Sequence, residues 1–191
     1  NYFHALRRQM KRDFRKPLIL MTPKSLLRHK KAVSKLEEMG PNTYFHRVLW
    51  DDAQLHANDP TRLVADDKIR RVVMCSGKVY YDLYEEREKR GLNDIYLLRL
   101  EQLYPFPLKA LVTELVRFKG ADIVWCQEEP RNQGAWAFVQ PYVEWVLEQV
   151  HATNRRPRYV GRVASASTAT GLMSNHLKQL KAFLDEALDL G

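Results

Sequence analysis

No apolar run in the sequence approaches the roughly 18 residues that a membrane-crossing helix needs, and no signal-peptide pattern is present. Cysteine is scarce. Cys75 and Cys126 both stand in apolar runs, VVMCSG and DIVWCQ, and read as buried, reduced thiols of an intracellular protein. The six histidines are scattered, with no second ligand at i+3 or i+4 and no cysteine beside them, so the spacing excludes a metal site. Serines gather in SASTATG without a nucleophile-elbow motif. There is no internal repeat and no low-complexity segment. An initiating Met is also missing: the chain opens NYFHALRRQM, already in helical rhythm, and reads as a segment of a longer polypeptide.

What is present is ordinary globular material for one or at most two domains, 45% hydrophobic and 28% charged over 191 residues. The net charge of +8 is unevenly spread. Residues 1–31 hold ten Lys/Arg and one Asp, whereas the remaining 160 hold 21 basic and 22 acidic side chains. A basic block can attract polyanions. No nucleic-acid module follows it, and its aromatics are not interleaved as stacking platforms. A phosphate-bearing small ligand or an acidic protein surface therefore fits better than nucleic acid.

Periodicity divides the chain further. Phe3, Leu6, Met10 and Phe14 predict a helix over 2–14, and KPLILMTP predicts a short buried strand at 17–22, stopped by Pro23. Helical character runs from about 32 to 39 and stops at Gly40-Pro41. Residues 41–69 read as irregular, with HANDP and ADD as loop signals. From residue 70, RRVVMCSGK, DIYLLRLEQLYPFP, ADIVWCQEEP and PRYVGR read as strands. VYYDLYEEREKRG, LKALVTELVRFKG, GAWAFVQPYVEWVLEQV and NHLKQLKAFLDEALDL read as the helices between and after them. This alternation predicts an α/β fold with a mostly parallel sheet and helices on both faces.

In such sheets ligands gather at the carboxyl ends of the strands. In TPKSLLRH, Thr22, Lys24, Ser25 and Arg28 place two hydroxyls and two cations past the first predicted strand, chemistry suited to phosphate or carboxylate. In CSGK, Lys78 opens a helix after a strand, an anion cradle in principle and a plain turn otherwise. In RLEQLYPFP, Arg99 and Glu101 share one strand face, where buried charges pair or reach an interface. WCQEEPRNQGAW holds adjacent Glu128 and Glu129. Consecutive strand residues point to opposite faces, so the two do not converge on one cleft as a general acid and base would. One is expected to meet an arginine, with Asn132 capping the helix that starts near Gly134.

These strand-end segments carry a resemblance. NYFHALRRQ, RKPLILMTPKSLLRH, SGKVYYDL, LRLEQLYPFP, WCQEEPRNQGAW and YVGRVASASTATG together resemble, in order and from residue 1 to about 172, the C-terminal part of the 2-oxoglutarate dehydrogenase decarboxylating-component family. The likeness thins at 41–69. It departs at Lys30 and Val163, where the family commonly has Pro.

The resemblance implies a three-layer transketolase C-terminal-domain-like fold over 17–191, with an insertion around 41–69. It makes residues 1–16 the end of a pyrimidine-binding domain with its linker helix. It implies a homodimeric parent enzyme using thiamin diphosphate and Mg²⁺, both held upstream of Asn1. The parent would decarboxylate 2-oxoglutarate and succinylate the lipoyl group of dihydrolipoyl succinyltransferase, alongside dihydrolipoyl dehydrogenase, in the citric acid cycle. Its location would be the bacterial cytoplasm or the mitochondrial matrix. This segment would hold no catalytic, cofactor or metal residue. In some members it lines an allosteric pocket for acetyl-CoA or AMP, and the matching positions are Arg8, Thr22, Lys24, Ser25, Arg28, Lys78, Arg99 and Gln102. A non-catalytic anion-binding module and a 2-oxoadipate dehydrogenase remain as alternatives, and a general polyanion-binding domain is a weaker one.

Overall fold

The basic N-terminal block begins as a helix, α1 (Tyr2–Lys11), shorter than the 2–14 read from spacing. The structure is a computed structural model and describes residues 1–55 and 62–191, so the HANDP signal and His56 lie outside the described residues. Two compact units emerge, Asn1–His46 and Arg47–Gly191.

The first unit holds α1 and two 3-10 turns, Lys24–Arg28 and Leu36–Met39. The Asn1 side chain ties its ends together, donating to the His46 carbonyl (2.8 Å) and accepting from the His46 amide (2.9 Å). The predicted strand at 17–22 does not form: this stretch is irregular, and Ile19 and Met21 are 79% and 92% exposed. A strand exists only through a partner's ladder, and this unit contains no other strand. The helix predicted from about 32 shrinks to the final 3-10 turn. Val33 and Ser34 are poor helix formers, and Lys35 supplies no side-chain cap.

In the second unit, β1 (Val48–Leu49), β2 (Arg71–Cys75), β3 (Ile95–Leu100), β4 (Asp122–Pro130) and β5 (Arg158–Arg162) form one sheet in the order β1-β3-β2-β4-β5. β2, β3, β4 and β5 pair in parallel, and β1 joins β3 antiparallel. The helices are a single turn α2 (Asp52–Leu55), α3 (Val79–Arg90), α4 (Leu108–Leu115), α5 (Trp136–Gln149) and α6 (Met173–Leu188). Alternation along the strands builds two cores. Val72, Met74, Tyr96, Leu98, Ile123 and Trp125 face the layer of α4 and α5. Val73, Cys75, Ile95, Leu97, Val124, Cys126 and Val160 face α3 and α6. The expected α/β architecture with helices on both faces is present. The stretch read as irregular, 41–69, contributes an edge strand, the turn α2 and a 3-10 turn at Asp66–Lys68.

Candidate functional site

β2 lies between β3 and β4, yet the chain visits β2, then β3, then β4. The connection leaving β2 runs to β3 on one side and that leaving β4 runs to β5 on the other, so the two diverge between the carboxyl ends of β2 and β4, the position where open parallel sheets bind ligands. Gly77, at φ +76°, turns the chain from β2 into α3, and Lys78 occupies the N-cap of that helix. Lys78 Nζ lies 2.6 Å from Asp82 Oδ2 and 3.6 Å from Glu128 Oε1. Burial works against its charge, but the two carboxylates outweigh burial and raise its pKa above the ordinary lysine value.

Arg99, on β3, is 13% exposed. Its guanidinium lies 3.9 Å from the Tyr80 ring centroid and donates to the Tyr81 hydroxyl at 3.4 Å. Asp52 Oδ1 stands 3.8 Å from Nη2, and the buried Nε has no hydrogen-bond partner among the described residues. Burial opposes the Arg99 charge, and Tyr80, Glu101 and Asp52 overcome it. Gln102 turns its amide to the Pro105 carbonyl, 2.8 Å away. Lys78 thus stands between Asp82 and Glu128, and Arg99 beside Asp52.

The remaining predicted positions lie in the first unit. Arg8, on α1, stacks over Phe45 with its guanidinium 5.0 Å from the ring centroid. Thr22 is exposed just before Pro23, and Lys24, Ser25 and Arg28 are exposed on the 3-10 turn Lys24–Arg28.

Glu128 and Glu129 part company as strand geometry requires. Glu128 meets Lys78, not the expected arginine, and Arg162 donates instead to its backbone carbonyl at 2.9 Å. Glu129 is exposed. The helix cap expected of Asn132 comes from Gln127, whose Oε1 accepts from the Trp136 amide at 3.0 Å. Asn132 instead clasps the backbone of Ser165, through both its amide and its carbonyl. The buried Gln127 also accepts from Trp125 Nε1 and donates to the carbonyls of Glu129, Pro130 and Gln133, so one side chain shapes the whole turn. Its position in the apolar run VWCQ is the signal that could have exposed it.

Sequence reasoning missed a second feature, the fully buried pair Asp51–Arg87. Arg87 Nη2 donates to Asp51 Oδ1 at 2.8 Å, and the Leu97 and Ala53 amides donate to the same carboxylate. Tyr96 and Tyr80 accept from the amides of Asp51 and Asp52 through their hydroxyls. The turn carrying Asp52 is thereby fixed at its start.

Holding Mg²⁺ and a diphosphate requires a convergent group of oxygen ligands. Among the described residues no three His, Cys, Asp or Glu side chains are so grouped, and Asp52, Asp82 and Glu128 each face a cation. The described residues thus assemble no such ligand group for the Mg²⁺ of thiamin diphosphate.

The family described as 2-oxoglutarate dehydrogenase C-terminal matches residues 33–188. The 2-oxoglutarate dehydrogenase E1 component of Brucella anthropi is 69% identical over 188 residues, and that of Brucella ovis is 68% identical over the same length. Each alignment covers 98% of this chain and 19% of the relative, so the chain spans about a fifth of the length of the curated relatives it matches.

Proposed function

The chain belongs to the 2-oxoglutarate dehydrogenase C-terminal family, and from that premise we propose that it is the C-terminal region of the E1 component of a 2-oxoglutarate dehydrogenase. The observation that carries this reading is the identity of 68–69% sustained across 98% of the chain. In the reading, the whole polypeptide performs thiamin-dependent oxidative decarboxylation of 2-oxoglutarate. It then passes the succinyl group to the lipoyl arm of dihydrolipoyl succinyltransferase, with dihydrolipoyl dehydrogenase completing the complex in the citric acid cycle. Thiamin diphosphate and Mg²⁺ are held by parts of the polypeptide outside this chain. Residues 1–16 close the pyrimidine-binding domain, and 17–191 are the transketolase-type C-terminal domain. The bacterial relatives favour a cytoplasmic location, and no helix among the described residues is long and apolar enough to cross a membrane.

The segment itself supports a homodimer and takes an acyl-CoA or nucleotide effector. The strand-end cations support the second role: Lys78 and Arg99 are both held charged beside the N-terminus of α3. Two measurements test the proposal. The full-length enzyme should turn over 2-oxoglutarate with ferricyanide as acceptor, and a preference for 2-oxoadipate would reassign the substrate. Titration of acetyl-CoA and AMP should show binding that Lys78→Ala and Arg99→Gln weaken. Binding indifferent to both substitutions would reject the effector site.

A further inference from the structure

The first unit leaves its apolar side chains uncovered. Tyr2, Leu6 and Met10 lie about one turn apart on α1 and are all exposed, and the helix buries only His4. An amphipathic helix turns such a stripe to a core. Further along, Leu18, Ile19, Leu20 and Met21 are exposed as well. No backbone hydrogen bond joins residues 18–22 to any other described residue.

Four consecutive apolar residues between Pro17 and Pro23 have the composition of a strand buried on both faces. In an extended chain Ile19 and Met21 point to one side, Leu18 and Leu20 to the other. A strand apolar on both sides belongs in a sheet covered on both faces, and the unpaired amides and carbonyls are there to join its ladder. Charge narrows the choice of occupant. Residues 1–46 hold eleven Lys/Arg and three Asp/Glu, and Arg15, Lys16 and Lys24 flank the apolar stretch. Two copies of this unit would meet with like charge, so the complementary surface carries an acidic rim. The alignments embed 98% of this chain in polypeptides of which it makes up 19%. Most of such a polypeptide therefore remains to supply the cover.

Resting on the reading that this chain is one region of a longer E1 polypeptide, we propose that residues 18–22 add as a strand to a helix-covered sheet elsewhere in that same polypeptide, which also covers the apolar stripe of α1. The receiving surface is apolar at its centre and carboxylate-rich at its rim. The strand read from KPLILMTP forms only where that sheet is present, which is why the chain by itself shows the pattern without the strand.

Two measurements on the full-length enzyme test this. In hydrogen–deuterium exchange, at least two amides among residues 18–22 should exchange at least about a hundredfold more slowly than in an unstructured peptide. Smaller protection would mean that no ladder forms and would overturn the proposal. A photoreactive benzophenone amino acid placed at position 21, where Met21 is 92% exposed, should crosslink within one polypeptide to a residue outside these 191. A band of doubled mass, crosslinks confined to the 191 residues, or no crosslink would each overturn it. Turnover of 2-oxoglutarate by the same preparation judges the underlying reading separately. An active enzyme with unprotected residues 18–22 sinks this inference alone, whereas protection in an enzyme inactive on 2-oxoglutarate reassigns the activity and leaves the strand addition standing.

Discussion

Asp51 and Arg87 are each 0% exposed and bonded to one another. Removing one partner leaves the other charge buried and unpaired, a loss of roughly 3–5 kcal/mol. Asp51→Ala should lower the urea midpoint of the 191-residue chain by that equivalent, and an unchanged midpoint would contradict the burial. Cys75 and Cys126 are register partners on β2 and β4. Burial pushes the Cys75 thiol up to about 12 and the Cys126 thiol well above its ordinary value. Neither should react with an aromatic disulfide reagent near neutral pH until the chain is unfolded, and rapid labelling of the native chain would show that they are reachable. The buried thiols were legible because each stands in an apolar run. Asp51 was not, since its partner is 36 residues away and nothing local in WDDAQ marks it as buried.

At the scale of elements, the strand-to-helix turn after β4 depends on close approach. Gly134 has φ +64°, and a Cβ there would fall 2.9 Å from Gln127 Nε2 and 3.0 Å from Glu129 Cβ. Gly134→Ala combines backbone strain with a collision against the side chain that caps α5. It should cost about 1–3 kcal/mol, read as a shift in thermal midpoint. Arg71 is a second such joint: it pairs with Asp122 at 2.9 Å and donates to the carbonyls of Ala187 and Asp189 at the end of α6. Arg71→Met should loosen α6, seen as faster amide exchange over 184–188 than over α4. The repeating β-α portion was legible because apolar alternation and helix-ending glycines coincide there. The stretch KPLILMT misled for the converse reason: its apolar content signals burial, but a strand also needs a neighbour to pair with. The edge strand β1 escaped notice because two residues carry no periodicity.

Three surface ion pairs bias the response of the molecule to acid. Asp66 is held below its ordinary value of 3.8 by Arg117, Glu86 below 4.5 by Arg90, and Asp185 below 3.8 by Lys181 and Arg90. Depressed carboxylates stabilise the fold above their ordinary values and lose that contribution as pH falls through their folded ones. The urea midpoint should therefore decline from about pH 5 to about pH 3, and Arg117→Gln should flatten the decline. At this scale the sequence disclosed the family and the architecture. Pairing of Glu128 with a cation was expected, but that the cation is Lys78 and that Asp52 stands beside Arg99 stayed hidden, because these contacts join β4 to α3 and α2 to β3 and form only in the folded chain. The central claim is that this segment shapes and regulates an enzyme whose chemistry resides elsewhere in the polypeptide. The most direct test is to assay the isolated 191-residue chain for 2-oxoglutarate decarboxylation with added thiamin diphosphate and Mg²⁺. No turnover above the uncatalysed rate is predicted, and appreciable turnover would contradict the claim.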